Sequence, residues 1–158
     1  MQARLNAYSA APGAIKAVMG LETYISSSGL EKGLIELVKM RVSQINGCAY
    51  CLDMHSKDAR RNGETEQRLY VLDAWRESPL YSPRERAALA WAEALTLIAE
   101  THAPDEVYEA VKEHFAEAEL VNLTTLIGTI NVWNRIAIGF RMQHPVAGDA
   151  PQRQARSA

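Results

Sequence analysis

Apolar residues recur along almost the whole chain at intervals of three and four, the period of an amphipathic α-helix. Ile15, Val18, Met19, Leu21 and Ile25, with Tyr24 beside them, follow it up to Ser26-Ser27-Ser28-Gly29. This predicts a helix over about 12–28 with Pro12 as an early helical residue. From Leu30 or Glu31 a second face runs through Leu34, Ile35, Leu37, Val38, Val42 and Ile45 and ends at Asn46-Gly47. Cys48, Cys51, Met54 or His55 and Ala59 keep the spacing as far as Asn62-Gly63, which predicts a third helix over about 48–61.

A fourth helix is expected from Glu64 to Trp75, on Leu69, Val71, Leu72 and Trp75. Ser78-Pro79 and Ser82-Pro83 mark a connector, and Ser82-Pro83-Arg84-Glu85 has the Ser-x-x-Glu form of a capping box with proline at the first helical position. That box opens a fifth helix, expected from Pro83 to Glu100. Pro104 opens a sixth, with Val107, Tyr108, Val111 and Phe115 on its face. The last is expected from Glu117 to Arg141 through Leu120, Leu123, Leu126, Ile127, Ile130, Trp133, Ile136, Ile138 and Phe140. No segment reads as a strand, so the expected class is all-α, a bundle of about six to seven helices. Residues 1–144 are expected to form one domain, and 145–158, small, polar and turn-rich, a disordered tail.

Composition narrows the function. With 158 residues, 47% hydrophobic, and a net charge of -2 from interleaved acids and bases, the chain offers no basic stripe for nucleic acid and no polybasic segment for a membrane surface. The start, Met-Gln-Ala-Arg-Leu-Asn, lacks the organisation of a signal peptide, and the apolar runs are too short to span a bilayer. A cytoplasmic location is expected, where a cysteine pair cycles between dithiol and disulfide.

Both cysteines of the chain fall in Cys48-Ala49-Tyr50-Cys51, with His55 one helical turn further on. On a helix Cys51 and His55 face the same way, so the imidazole can exchange a proton with the thiol directly or through one water. With Asn46-Gly47 read as the cap, both sulfurs fall in or near the first turn, where unpaired amides and the helix dipole favour a thiolate. If the preceding helix packs antiparallel, Glu36 reaches His55 and completes a proton relay. Proximity to the helix start favours Cys48 as the attacking sulfur; proximity to His55 favours Cys51. A structural zinc site needs four clustered ligands and only the cysteines and His55 are clustered here, and haem attachment fails because Leu52, not a histidine, follows Cys51.

Eleven residues separate Glu36 from Cys48, two separate the cysteines and three separate Cys51 from His55. This Glu-x11-Cys-x2-Cys-x3-His arrangement, with the segment Glu36 to His55 around it and Trp91 to Thr96 and Asn131 to Arg135 later, resembles the alkylhydroperoxidase AhpD-like family of the carboxymuconolactone decarboxylase superfamily, over about 12–144. The resemblance implies an AhpD-like helical fold and a thiol-dependent peroxidase. In it Cys51 attacks the hydroperoxide, Cys48 closes the disulfide, and Glu36 and His55 relay the proton. It also implies a redox-active disulfide with no bound cofactor or metal, an external thiol or lipoyl-type electron donor, and a homo-oligomer, trimer or hexamer. Some family members carry a second histidine just before the second cysteine; Tyr50 stands there in this chain, and a phenol is a poor base at neutral pH. The alternatives are a disulfide reductase or electron-transfer module acting on a partner protein, a lactone decarboxylase of the wider superfamily, whose enzymes lack the cysteine pair, and a non-catalytic protein on the same fold.

The remaining histidines, His102, His114 and His144, have no partners in the pattern and are read as surface or loop residues. Trp75, Trp91 and Trp133 sit at core spacing. Asn131 and Asn134, in an otherwise apolar helix, are expected to cap another helix or chain.

Overall fold

A computed structural model describes residues 2–146. Among them are nine α-helices and no strand: α1 (Ala7–Ala10), α2 (Pro12–Ser26), α3 (Lys32–Asn46), α4 (Ala49–Arg61), α5 (Glu66–Tyr70), α6 (Pro83–Thr96), α7 (Ile98–Thr101), α8 (Asp105–Lys112) and α9 (Glu117–Phe140), with a 3-10 turn over Leu72–Ala74. Six of them are eight residues or longer, and these are the six strongly periodic segments of the sequence. From residue 147 on, the expected tail lies outside the described residues.

The fold is organised around α3, which packs against α4, α6 and α9. Its apolar residues are divided between two cores. Leu34, Ile35, Val38 and Val42 join Ala88, Ala92, Leu123, Leu126, Ile127 and Ile130, whereas Leu37 and Met40 face Leu72, Trp75, Tyr81 and Leu89. A helix with apolar residues on two sides must be central, because each side needs its own cover. The ends are set by local chemistry. Ser82 and Glu85 form the expected capping box at the start of α6, and Gly47 closes α3 in the left-handed conformation that glycine adopts without a Cβ penalty.

Two expectations are corrected. The helix expected over 64–75 is broken: α5 spans five residues and the chain then tightens, with Ala74 bonded to Val71 and Trp75 to Leu72. The 3-10 spacing aligns Leu72 and Trp75, so that both are buried in the second core. The helix expected to reach Glu100 stops at Thr96, and α7 follows as a separate turn after Leu97. On α2 only Ile15 and Ile25 are buried; Met19, Leu21 and Tyr24 are exposed, so its apolar face is not consumed by this chain's own core.

Candidate active site

The turn between α3 and α4 builds the site. After Asn46 the N–H of Gly47 donates to the Gln44 carbonyl and that of Cys48 to the Ser43 carbonyl, the double bond of a Schellman motif. Cys48 then serves at once as the N-cap of α4: its Sγ accepts the Cys51 N–H at 3.3 Å and its carbonyl accepts from Leu52 at 2.9 Å. The cap is therefore Cys48 itself and not Asn46-Gly47 as the sequence predicted, because Gly47 is taken up as the C-cap of α3. Both cysteines are buried and joined in a disulfide with Cα atoms 5.4 Å apart.

Amides from α9 hold this turn in place. Asn46 donates to Asn131 Oδ1 at 3.0 Å and to Asn134 Oδ1 at 2.8 Å, and fully buried Asn134 donates to Ser43 Oγ at 3.0 Å. The two asparagines expected to cap another helix instead bond side chains in the last turn of α3, whose carbonyls are met by Gly47 and Cys48. An amide in an apolar interior persists only where its donors and acceptors are met.

His55 lies one turn beyond Cys51 on α4, and its Nδ1 is 2.9 Å from Glu36 Oε2 on α3. The side chains are 6% and 13% exposed, so solvent screens the contact weakly. Since an ionised carboxylate only accepts, Nδ1 carries the proton in this pairing, and Nε2 is left as the lone-pair nitrogen. The structure thus brings Glu36, His55 and Cys51 together on one cavity of about 290 Å3. Cys48 is bonded to Cys51 but lines a different cavity, of about 320 Å3.

Sequence reasoning missed several neighbours of the relay. Asp58, three residues beyond His55, brings a carboxylate to the cluster: one potential ligand atom each from Glu36, His55 and Asp58 lies within 4.8 Å of the others, and these are the residues that could hold a metal ion. Lys39, three beyond Glu36, is buried and bonded to Glu22 Oε2 at 2.7 Å, while Trp133 Nε1 donates to Glu22 Oε1 at 3.0 Å. Spacing of three from a known site residue was a readable signal for Asp58 and Lys39. Glu22, Trp133 and Tyr8 come from distant segments and offered none. Tyr8 and Tyr50 add phenols to the same cavity. Burial, and then the neighbouring Tyr50, raise the Tyr8 phenol above its ordinary value. Trp75 and Trp91 are core residues, whereas Trp133 lines the cavity. His102, His114 and His144 lie outside the relay: His102 ends α7, His114 follows α8, and His144 lines the cavity on the Cys48 side.

The helical architecture and this constellation agree with what known proteins show. The profile of the carboxymuconolactone decarboxylase family matches residues 12–94, and the chain belongs to that family, on its AhpD-like branch. The uncharacterised protein YdfG of Bacillus subtilis is 49% identical over 138 residues, 87% of this chain and 94% of that one. A crystal structure of ATU0492 from Agrobacterium tumefaciens, a protein of unknown function with a suggested role as the antioxidant defence protein AhpD, superposes with a TM-score of 0.89 at 54% identity. It covers 92% of this chain and 99% of that one. The alkyl hydroperoxide reductase AhpD of Hyphomonas neptunium is 42% identical over a shorter stretch of 45 residues, 28% of this chain and 25% of that protein. Among the described residues no helix is long and apolar enough to cross a membrane.

Proposed function

We propose that this protein is a thiol-dependent peroxidase that reduces hydroperoxides through a dithiol/disulfide cycle of Cys48 and Cys51. The observation that carries this reading is the contact between Glu36 and His55 at 2.9 Å on the cavity that Cys51 lines. With Nδ1–H held by the carboxylate, Nε2 accepts the Cys51 thiol proton. The thiolate attacks the terminal oxygen of the hydroperoxide and the O–O bond breaks. The departing alkoxide takes the proton from the imidazolium and leaves as the alcohol. Cys51 is now a sulfenic acid; Cys48 condenses with it, forming the disulfide and releasing water. An external dithiol returns both sulfurs to the reduced state. The relative named for alkyl hydroperoxide reduction supports this assignment, as does the antioxidant role suggested for ATU0492.

The alternative, a reductase acting directly on a partner protein's disulfide, is less well supported. Cys48 and Cys51 are 1% and 2% exposed, and a protein surface cannot reach sulfurs at that depth, whereas a small molecule in either cavity can. The test is peroxide consumption in the presence of a dithiol by wild type and by Cys51→Ser. Wild-type turnover that Cys51→Ser abolishes supports the peroxidase. Reduction of a protein disulfide without peroxide turnover selects the alternative.

A further inference from the structure

Cys48 and Cys51 open onto different cavities. The one lined by Cys51, Glu36 and His55 shares a wall of Tyr50, Ala137 and Met142 with the one lined by Cys48, which runs along Arg141, Gln143 and His144 at the end of α9. We infer that these are separate entrances for oxidant and reductant, and that the Cys48 side admits a small anionic dithiol that reduces the disulfide by attacking the Cys48 sulfur.

The chemistry of exchange selects the sulfur. A thiolate attacks one sulfur of a disulfide in line with the bond and expels the other, and the better leaving group is the sulfur whose thiolate is best stabilised. Both sulfurs sit at the start of α4, where the Cys51 N–H donates to Cys48 Sγ, but only Cys51 is one turn from His55, whose imidazole pairs with a departing thiolate once it is protonated; that pairing makes Cys51 the better leaving group. Attack therefore falls on Cys48, from a side away from Cys51. Of the two cavities only the second is lined by Cys48 without Cys51.

The balance of electrons follows from this order. The first thiolate of the reductant bonds to Cys48 Sγ, and Cys51 leaves as a thiolate with the electron pair of the broken S–S bond and takes its proton from water, through the imidazole. The second thiol of the reductant then attacks the reductant's own sulfur in the mixed disulfide. This frees the Cys48 thiol and yields the cyclic disulfide of the reductant. Two electrons and two protons have passed to the protein, and Cys51 is regenerated in the cavity where it is next used.

Charge distinguishes the two sides. The Cys51 cavity carries Glu22, Glu36 and Asp58 against the single cation Lys39 and repels anions. Among the described residues, the Cys48 cavity is lined by Arg141 and His144 and by no acid. The C-terminal carbonyls of α9, which would oppose an anion, are already occupied: Ile138 O accepts from Arg141 N at 3.2 Å and Ala137 O from Met142 N at 2.9 Å. Arg141 is thereby the dominant charge among the described residues that line this cavity.

This inference rests on the dithiol/disulfide cycle proposed above, but not on peroxide as the oxidant, so the test starts from protein oxidised with diamide. Its reduction is followed by the appearance of free thiols with dihydrolipoate and with dihydrolipoamide, a pair that differs in charge and not in dithiol chemistry. Wild type should react about 10-fold faster with the anion at low ionic strength, an advantage that salt erodes. Arg141→Glu should bring the two rates within about twofold or invert them. In acid-quenched mixtures with mercaptopropionate, peptide mapping should find the adduct on Cys48. Equal rates with the two dithiols in wild type, a preference that survives Arg141→Glu, or an adduct on Cys51 overturns the inference. Failure of peroxide to oxidise the dithiol, measured separately, overturns the peroxidase and leaves this result standing. A diamide disulfide that no dithiol reopens removes both.

Discussion

If Glu36 and His55 act as one relay, disabling either should cost what disabling both costs. His55→Ala removes the base. Glu36→Gln keeps the shape and an accepting oxygen for Nδ1–H, but removes the charge that stabilises the imidazolium formed when Cys51 loses its proton. Lost general-base assistance is worth about 10²-fold at the lower end of its range, or about 2.7 kcal/mol of barrier. The weak solvent screening of this pair argues that the charge matters at that scale. Independent contributions would multiply to about 10⁴-fold in the double variant; a relay keeps it near 10²-fold, a coupling of about 2.7 kcal/mol. The assay is single-turnover loss of free thiol from pre-reduced protein mixed with a hydroperoxide. Oxidation by diamide serves as the control, and it should proceed normally in all three variants. Additive losses, or an unchanged rate in either single variant, would mean that the start of α4 activates the thiol unaided.

The exposed apolar residues of α2 and α9, among them Met19, Leu21, Tyr24, Val121 and Val132, call for cover that the described residues do not provide, and a homo-oligomer is expected; a 17.5 kDa particle by light scattering at micromolar concentration would refute it. Asn134→Leu should destabilise the fold by about 2 kcal/mol, because the Asn46 amide and the Ser43 hydroxyl lose a buried partner; urea titration giving a change below a few tenths would contradict the clamp assigned to this residue. Burial opposes ionisation of Glu93, but hydrogen bonds from Trp75, Arg76 and Arg41 outweigh it and hold its carboxyl below the usual range. A carboxyl lowered on folding stabilises above its unfolded value, and that contribution is lost as pH falls through the folded one. Glu93→Gln should therefore cost about 2 kcal/mol at pH 7, with the gap to wild type closing on acidification below the ordinary glutamate range; a gap that widens there reverses the sign and the reasoning.

What could be read in advance follows from how far each cause extends along the chain. The long helices depend on periodicity within a few turns, and the boundaries set by Ser82, Glu85 and Gly47 depend on neighbours one to three residues away, so both were legible. The contact between Glu36 and His55 was legible for a different reason. Cys51 and His55 share one helix, and the short turn at Asn46-Gly47 folds α4 back beside α3, bringing Glu36 within reach. The breaks inside the expected helices were not. Leu72 and Trp75 are drawn into a core made with Leu37 and Leu89, and α6 stops although Leu97 and Ile98 continue its apolar pattern; both are exposed. His102 and Ala103 take positive φ without being glycine, and Thr101 ties that turn back to the Ala94 carbonyl through its hydroxyl. No local signal marks a residue held in that region by a tertiary bond.

The same distinction explains the division of the site. The residues proposed to activate Cys51 all come from α3 and α4, adjacent in sequence. Everything that separates its cavity from that of Cys48 involves α9, almost ninety residues away in sequence, where Ala137 and Met142 meet Tyr50. Tyr50 is where the family can place a second histidine, and here its ring forms part of that wall. A base at this position could serve either cavity; a phenol is a poor base at neutral pH, so in the cycle proposed above proton transfer falls to the single imidazole of His55, on the Cys51 side of the wall.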